Sequence, residues 1–207
     1  MRAAQSSSYD SCLEVCGNLA NPGLALDNPL WIDHTDLDTT VDQLRIEDAL
    51  EGMDWRGRNI LHVGVGNSRL AQRFAGEAGW IDGLTVCRNE LERADSLGIP
   101  NYKARFLNKY GREFPLVIRN RYDFVIDNNL ASFVCCRYHF YRMFDNYLGA
   151  MRPAGRILTD QQGMDWTVED RRWALHYEDL QGLESRFPVS VTRVTDTVYS
   201  IRARATE

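Results

Sequence analysis

Apolar and polar positions change period repeatedly along this chain after residue 40. Thr40-x-x-Gln43 has the form of a capping box and opens a helical pattern to about Leu50, with Gly52 as its stop. Asn59 to Val63 is a short apolar run of strand length, ending in Gly64-Val65-Gly66-Asn67-Ser68. A helical pattern follows, with Leu70, Ala71, Phe74 and Ala75 on one face. Ile81 to Val86 reads as a second strand. Asn89-x-x-Glu92 caps the next helix, with Leu91, Ala94 and Leu97 inward. Tyr102 to Leu107 and Tyr122 to Asp127 are the third and fourth strands. A long helix, about Cys135 to Met151, is closed by Pro153 and Gly155. Arg156 to Asp160 is the fifth strand, and Thr167-x-x-Asp170 opens a last helix. Val189 to Val194 and Thr197 to Ala203 are separated only by Thr195-Asp196, which makes a hairpin.

Strands alternating with helices predict an α/β fold: a Rossmann-like, doubly wound sheet of seven strands, mostly parallel, with one antiparallel strand from the C-terminal hairpin. Residues 40–207 form that domain. Residues 1–39 read differently. Gln5 to Ser8 is polar, Asn21-Pro22-Gly23 and Asn28-Pro29 are turns, and Trp31-Ile32 is an isolated apolar anchor. This is an arm that packs on the domain and serves as a lid.

Composition narrows the function more than the fold. With 44% hydrophobic and 26% charged residues the chain is globular, and 207 residues suffice for a complete core. The formal net charge of −5 gives no basic track for a polyanion, so nucleic acid is not the expected partner. No apolar run is long enough to span a bilayer, and no secretory leader pattern opens the chain. The expectation is a cytoplasmic protein with free thiols at Cys12, Cys16, Cys87, Cys135 and Cys136, and no membrane partner. Oligomeric state is left open, a homodimer among the options.

Ligands of such sheets lie beyond the carboxyl ends of the strands. Glycines 64 and 66 let a ligand approach the first strand end, and Asn67 or Ser68 can cap the helix after it. A dinucleotide fingerprint would need a third glycine where Arg69 stands, so a tight structural turn is the competing reading. Glu90, after the second strand, sits where a carboxylate can take both hydroxyls of a ribose, though it also suits the first turn of a helix. Asn108 follows the third strand, and Asp127-Asn128-Asn129-Leu130 the fourth. Each alone is ordinary; four polar strand ends in this order are not.

Here the sequence resembles the class I S-adenosylmethionine-dependent methyltransferases, from about residue 40 to the C-terminus. The resemblance is carried by Ile60 to Ser68, Gly83 to Glu90, Tyr122 to Asp127, and Leu148 to Leu158, which looks like the family's L-x-P-G-G-x-L turn into strand five. It implies S-adenosylmethionine as cofactor. Gly64 and Gly66 would lie against its methionine part, with His62, Asn67 and Ser68 close by. Glu90 would hold the ribose, Asn108 would face adenine, and Asp127, Asn128 and Leu130 would line the floor below the methyl. His62 departs from the acid usual at that position, and the proline-bearing signature of amide and nucleobase amino methylation is absent.

The expected activity is methyl transfer to a small-molecule acceptor, in secondary metabolism. Two alternatives stand beside it: a repurposed member of the fold with another chemistry, and a non-catalytic binding subunit. If a base is needed, His139 is the candidate, at the start of the helix after strand four. Phe133, Tyr138 and Trp166 would wall the acceptor pocket, while Phe140, Phe144 and Tyr147 have the spacing of core residues. His62 reads as a core histidine with one hydrogen bond or as part of the cofactor loop. Cys135-Cys136 reads as buried filler. Asp33, His34, Asp36 and Asp38 carry metal-ligand types without a distal partner motif, so no metal is expected.

Overall fold

The computed structural model describes residues 32–118, 121–134, 136–167 and 173–204. Most of the arm, Cys12, Cys16, Cys135 and the helix expected from Thr167-x-x-Asp170 lie outside these residues or run out of them.

Helix α1 spans Val41–Glu51, with Thr40 at its N-cap. The expected capping box does not form. Gln43 turns inward instead and donates from Nε2 to Glu47 Oε1 at 3.3 Å. Strand β1 (Asn59–Val63) leads through the glycine turn to α2 (Arg69–Phe74). Then come β2 (Trp80–Thr85), α3 (Arg88–Ser96) and β3 (Tyr102–Phe106). Helix α3 starts from Cys87, so Asn89 lies inside its first turn rather than capping it. A short α4 (Phe114–Val117) precedes β4 (Tyr122–Asp127). Helix α5 (Arg137–Ala150) passes directly into β5 (Met151–Asp160). Pro153 and Gly155 therefore sit inside the strand, not in a turn between the helix and the strand. The β4–β5 register shifts between Tyr122 and Phe124, which gives this exposed stretch the room proline requires. Short helices α6 (Gln161–Asp165) and α7 (Tyr177–Gly182) precede the hairpin of β6 (Val189–Arg193) and β7 (Val198–Ala203).

The sheet has seven strands in the order β3-β2-β1-β4-β5-β7-β6. Only β7 runs against the rest. Alternate residues feed two cores. Ile60, Ile81, Phe124, Ile126 and Leu158 face α1 and α2, packing with Ile46, Leu50 and Phe74. Leu61, Leu84, Val125 and Ile157 face the other way, against Phe140, Phe144 and Tyr147 of α5. Both faces being covered explains why these strands read as nearly continuous apolar runs. The strand order reverses between β1 and β4, so the crevice beyond their carboxyl ends is where a ligand fits.

Candidate cofactor and acceptor site

The turn after β1 is pinned to β2: the N–H groups of Gly64 and Val65 donate to Leu84 O at 2.8 and 3.3 Å. Gly64 and Gly66 have φ of 79° and 50°, a region that explains glycine at both positions. Ser68, at φ 62°, is the N-cap of α2 but makes no cap bond. Its Oγ instead meets Tyr102 Oη at 3.0 Å, while Asn67 Oδ1 accepts from Arg69 N–H.

Past this turn lies a cavity of about 390 Å³, within the usual range for small-molecule sites. Its wall includes Gly64, Gly66, Asn67, Glu90, Asn108, Asp127 and Asn128, so all four polar strand ends meet in one space. His62 joins them, buried, with neither ring nitrogen hydrogen-bonded. Burial pushes its pKa down to about 4, so the ring is neutral. The one-hydrogen-bond core histidine is thus not what the fold builds. Phe133 and Trp166 also line the cavity, their ring centroids 5.3 Å apart and edge to face.

Four expected site residues are not part of this wall. Ser68 and Leu130 are fully buried behind it. Tyr138 is exposed and stacks edge-on against its neighbour His139. His139 is 5% exposed and points Nδ1 toward Cys136 Sγ at 3.4 Å. It begins the helix after strand four, as its position suggests, but the turn of α5 carries it away from the cavity. Cys136 is half-buried and disulfide-bonded, against the expectation of free, buried thiols, while Cys87 is free.

The floor at the end of β4 holds a residue that pattern reading overlooks. Lys109, 8% exposed, donates to Asp127 Oδ2 at 3.0 Å, Oδ1 at 3.3 Å, and Asn129 O at 2.6 Å. Tyr147 of α5 donates to Asp127 Oδ2 at 2.7 Å. Desolvation draws the Lys109 pKa down, and Asp127 opposes it; burial and Asp127 together hold the Tyr147 hydroxyl protonated. Lys109 and Asp127 therefore form an enclosed ion pair within the floor. Its sequence signal was rarity, since Lys109 is one of two lysines in the chain.

The opposite wall comes from α1. Its inward positions are Asp42, Gln43, Ile46, Glu47 and Leu50, a helical stripe carrying three polar residues where apolar ones belong. Asp42, Gln43 and Glu47 all line the cavity. Glu47 is fully buried, and desolvation raises its pKa despite Arg73 and Arg69 at 3.5 and 3.6 Å.

Residues 32–40 cross the cavity mouth. The N–H of His34 donates to Glu90 Oε1 at 3.2 Å, and Thr85 Oγ1 donates to Oε2 at 2.5 Å. Asn67 Nδ2 donates to Leu37 O at 2.8 Å and Asn89 Nδ2 to Asp33 Oδ2 at 2.6 Å. Bonds from Thr35 and Asn89 lower the Asp33 pKa to about 2. Asp33, Cys87 and Glu90 bring ligand-type atoms within 4.8 Å of one another. Burial pushes the Cys87 thiol up, which disfavours the thiolate a metal requires.

No family model and no curated protein sequence matches the chain. Solved structures do. An S-adenosylmethionine-dependent methyltransferase from Clostridium acetobutylicum ATCC 824 superposes with a TM-score of 0.64 at 9% identity, over 80% of this chain and 93% of that one. This chain has the class I methyltransferase fold. The N-methyltransferase NodS from Bradyrhizobium japonicum WM9, in complex with S-adenosyl-L-homocysteine, gives 0.56 at 14% identity, over 95% of this chain and 99% of that one. An rRNA methylase from Streptococcus thermophilus gives 0.52 at 12% identity, over 79% and 94%. One of these neighbours is named for rRNA and the other two name no acceptor, so the acceptor has to be argued from the cavity. Among the described residues no helix is long and apolar enough to cross a membrane.

Proposed function

We propose that the chain binds S-adenosylmethionine in this cavity and transfers its methyl group to a small-molecule acceptor. The observation that carries the reading is the meeting of the four polar strand ends in one cavity at the switch in strand order. The residues suit the group. Glu90 offers a carboxylate to the ribose hydroxyls, and Asn108, 3% exposed, stands at the adenine end. Gly64 and Gly66 leave the backbone open to the methionine part, and the buried nitrogens of His62 have no protein partner.

When bound, the cofactor supplies an electrophilic methyl on a sulfonium. The chain's part is placement. Asp127 and Asn128 form the floor, Asp127 being held in place by Lys109 and Tyr147. Phe133 and Trp166 form an apolar wall that orients the acceptor and keeps water out. Holding two reactants in line contributes several kcal/mol, up to about 7–11. His139 lies off the cavity and takes no part in proton transfer. Residues 32–40 narrow the opening, which suits a small acceptor better than a polymer. The N-terminal arm, residues 1–39, is read as the lid of the domain formed by residues 40–207.

Isothermal titration with S-adenosylmethionine and S-adenosylhomocysteine tests the reading. Saturable one-to-one binding supports it, followed by methyl consumption with a panel of small hydroxyl, amine and carbon acceptors. Absence of binding by both ligands overturns it. Methylation of RNA but of no small molecule would overturn the acceptor class alone.

A further inference from the structure

We propose that helix α1 grips the amino-acid end of the bound cofactor, with Asp42 as the receptor for its ammonium group. The inference rests on the cofactor reading above. Asp42 lines the cavity, is 6% exposed, and its Oδ1 is buried with no hydrogen-bond partner. A buried carboxylate oxygen without a donor is costly, and a ligand that brings a donor relieves that cost. His62, in the same wall, is equally unsatisfied at both nitrogens. A neutral imidazole offers one lone pair and one N–H. The amino-acid end of the cofactor carries the matching pair, an ammonium donor and a carboxylate acceptor.

The surrounding charges single out Asp42. Glu47 already accepts from Gln43 at 3.3 Å and faces Arg69 and Arg73. Arg45, on the same helix as Asp42, is committed to Asp160 through a two-pronged contact at 2.6 and 2.8 Å, and to Gln162 at 3.1 Å. Of the α1 carboxylates on the cavity, Asp42 is the one with an unused buried oxygen.

The test compares three ligands by calorimetry: S-adenosylhomocysteine, its analogue with hydrogen in place of the amine, and 5′-methylthioadenosine, which lacks the whole amino-acid end. The wild-type chain should prefer the amine-bearing ligand over the deaminated one by roughly 10–100-fold. In Asp42→Asn that preference should fall to about threefold or less, with 5′-methylthioadenosine affinity unchanged. Equal affinity of the wild type for the first two ligands overturns the proposal without recourse to any variant. A preference that survives Asp42→Asn and disappears in Glu47→Gln also overturns it. Failure of all three ligands to bind the wild type is a different result, and it removes the cofactor reading itself.

Discussion

The main-chain N–H of His34 and the carboxylate of Glu90 are hydrogen-bonded at 3.2 Å although 56 positions separate them. The strap formed by residues 32–40 is thus tied to the group that the cofactor reading assigns to a ribose. Glu90→Ala should weaken S-adenosylhomocysteine binding by about 1–3 kcal/mol, because two ribose hydroxyls lose their acceptor. Calorimetry reads the change. An unaltered affinity would take Glu90 out of the site.

Lys109→Met leaves Asp127 charged and enclosed, with Tyr147 as its remaining donor. The expected loss is about 3–5 kcal/mol of stability by denaturant unfolding. Adding Asp127→Asn to the same chain removes the stranded charge while keeping an acceptor for Tyr147, and a substantial part of the loss should return. A double variant no more stable than the single one would mean that the pair does not act through charge.

The neutral state of His62 carries a pH dependence. Its pKa in the folded chain is about 4, below the ordinary value of 6.5. Between these values the unfolded chain binds a proton that the folded chain does not. This contribution is complete above pH 6.5 and is lost progressively as pH falls toward 4, amounting to about 3 kcal/mol. The difference in unfolding free energy between wild type and His62→Leu should therefore change across pH 4–6.5 and be level above it. A constant difference over that window would place the imidazole in contact with water.

The sheet was legible because both of its faces are covered, so each strand stands out as a compact apolar run between turn residues. The passage from α5 into β5 was not, since Pro153 and Gly155 signal a break and the fold absorbs them in a register shift between β4 and β5. At the site, the glycines and the polar strand ends could be read because backbone position alone puts them there. His139 could not be placed: which way a helical side chain turns depends on packing, and here its ring turns back to Cys136 at the N-cap of its own helix. Asp42 and Glu47 hid in plain view, as polar residues on the inward stripe of α1, and only the cavity behind them gives that stripe a purpose.

Gly163, in α6, packs against the floor from the side of β5. A methyl group there would collide with the amide oxygen and main-chain carbonyl of Asn128. Gly163→Ala should cost about 1–3 kcal/mol in stability. It should also lower cofactor affinity, because Asn128 is displaced into the cavity. Wild-type values in thermal unfolding and calorimetry would show that the floor yields elsewhere.

The strap reaches Glu90 through its main chain, and that choice leaves a signature opposite in sign to ordinary ligand protection. Ribose hydroxyls arriving at the carboxylate compete with the His34 amide for the same oxygen. As the ligand saturates the chain and slows hydrogen exchange across the glycine turn and β4, the amide of residue 34 should exchange faster. Position 34 would report occupancy by loosening, and any amino acid except proline could carry the signal.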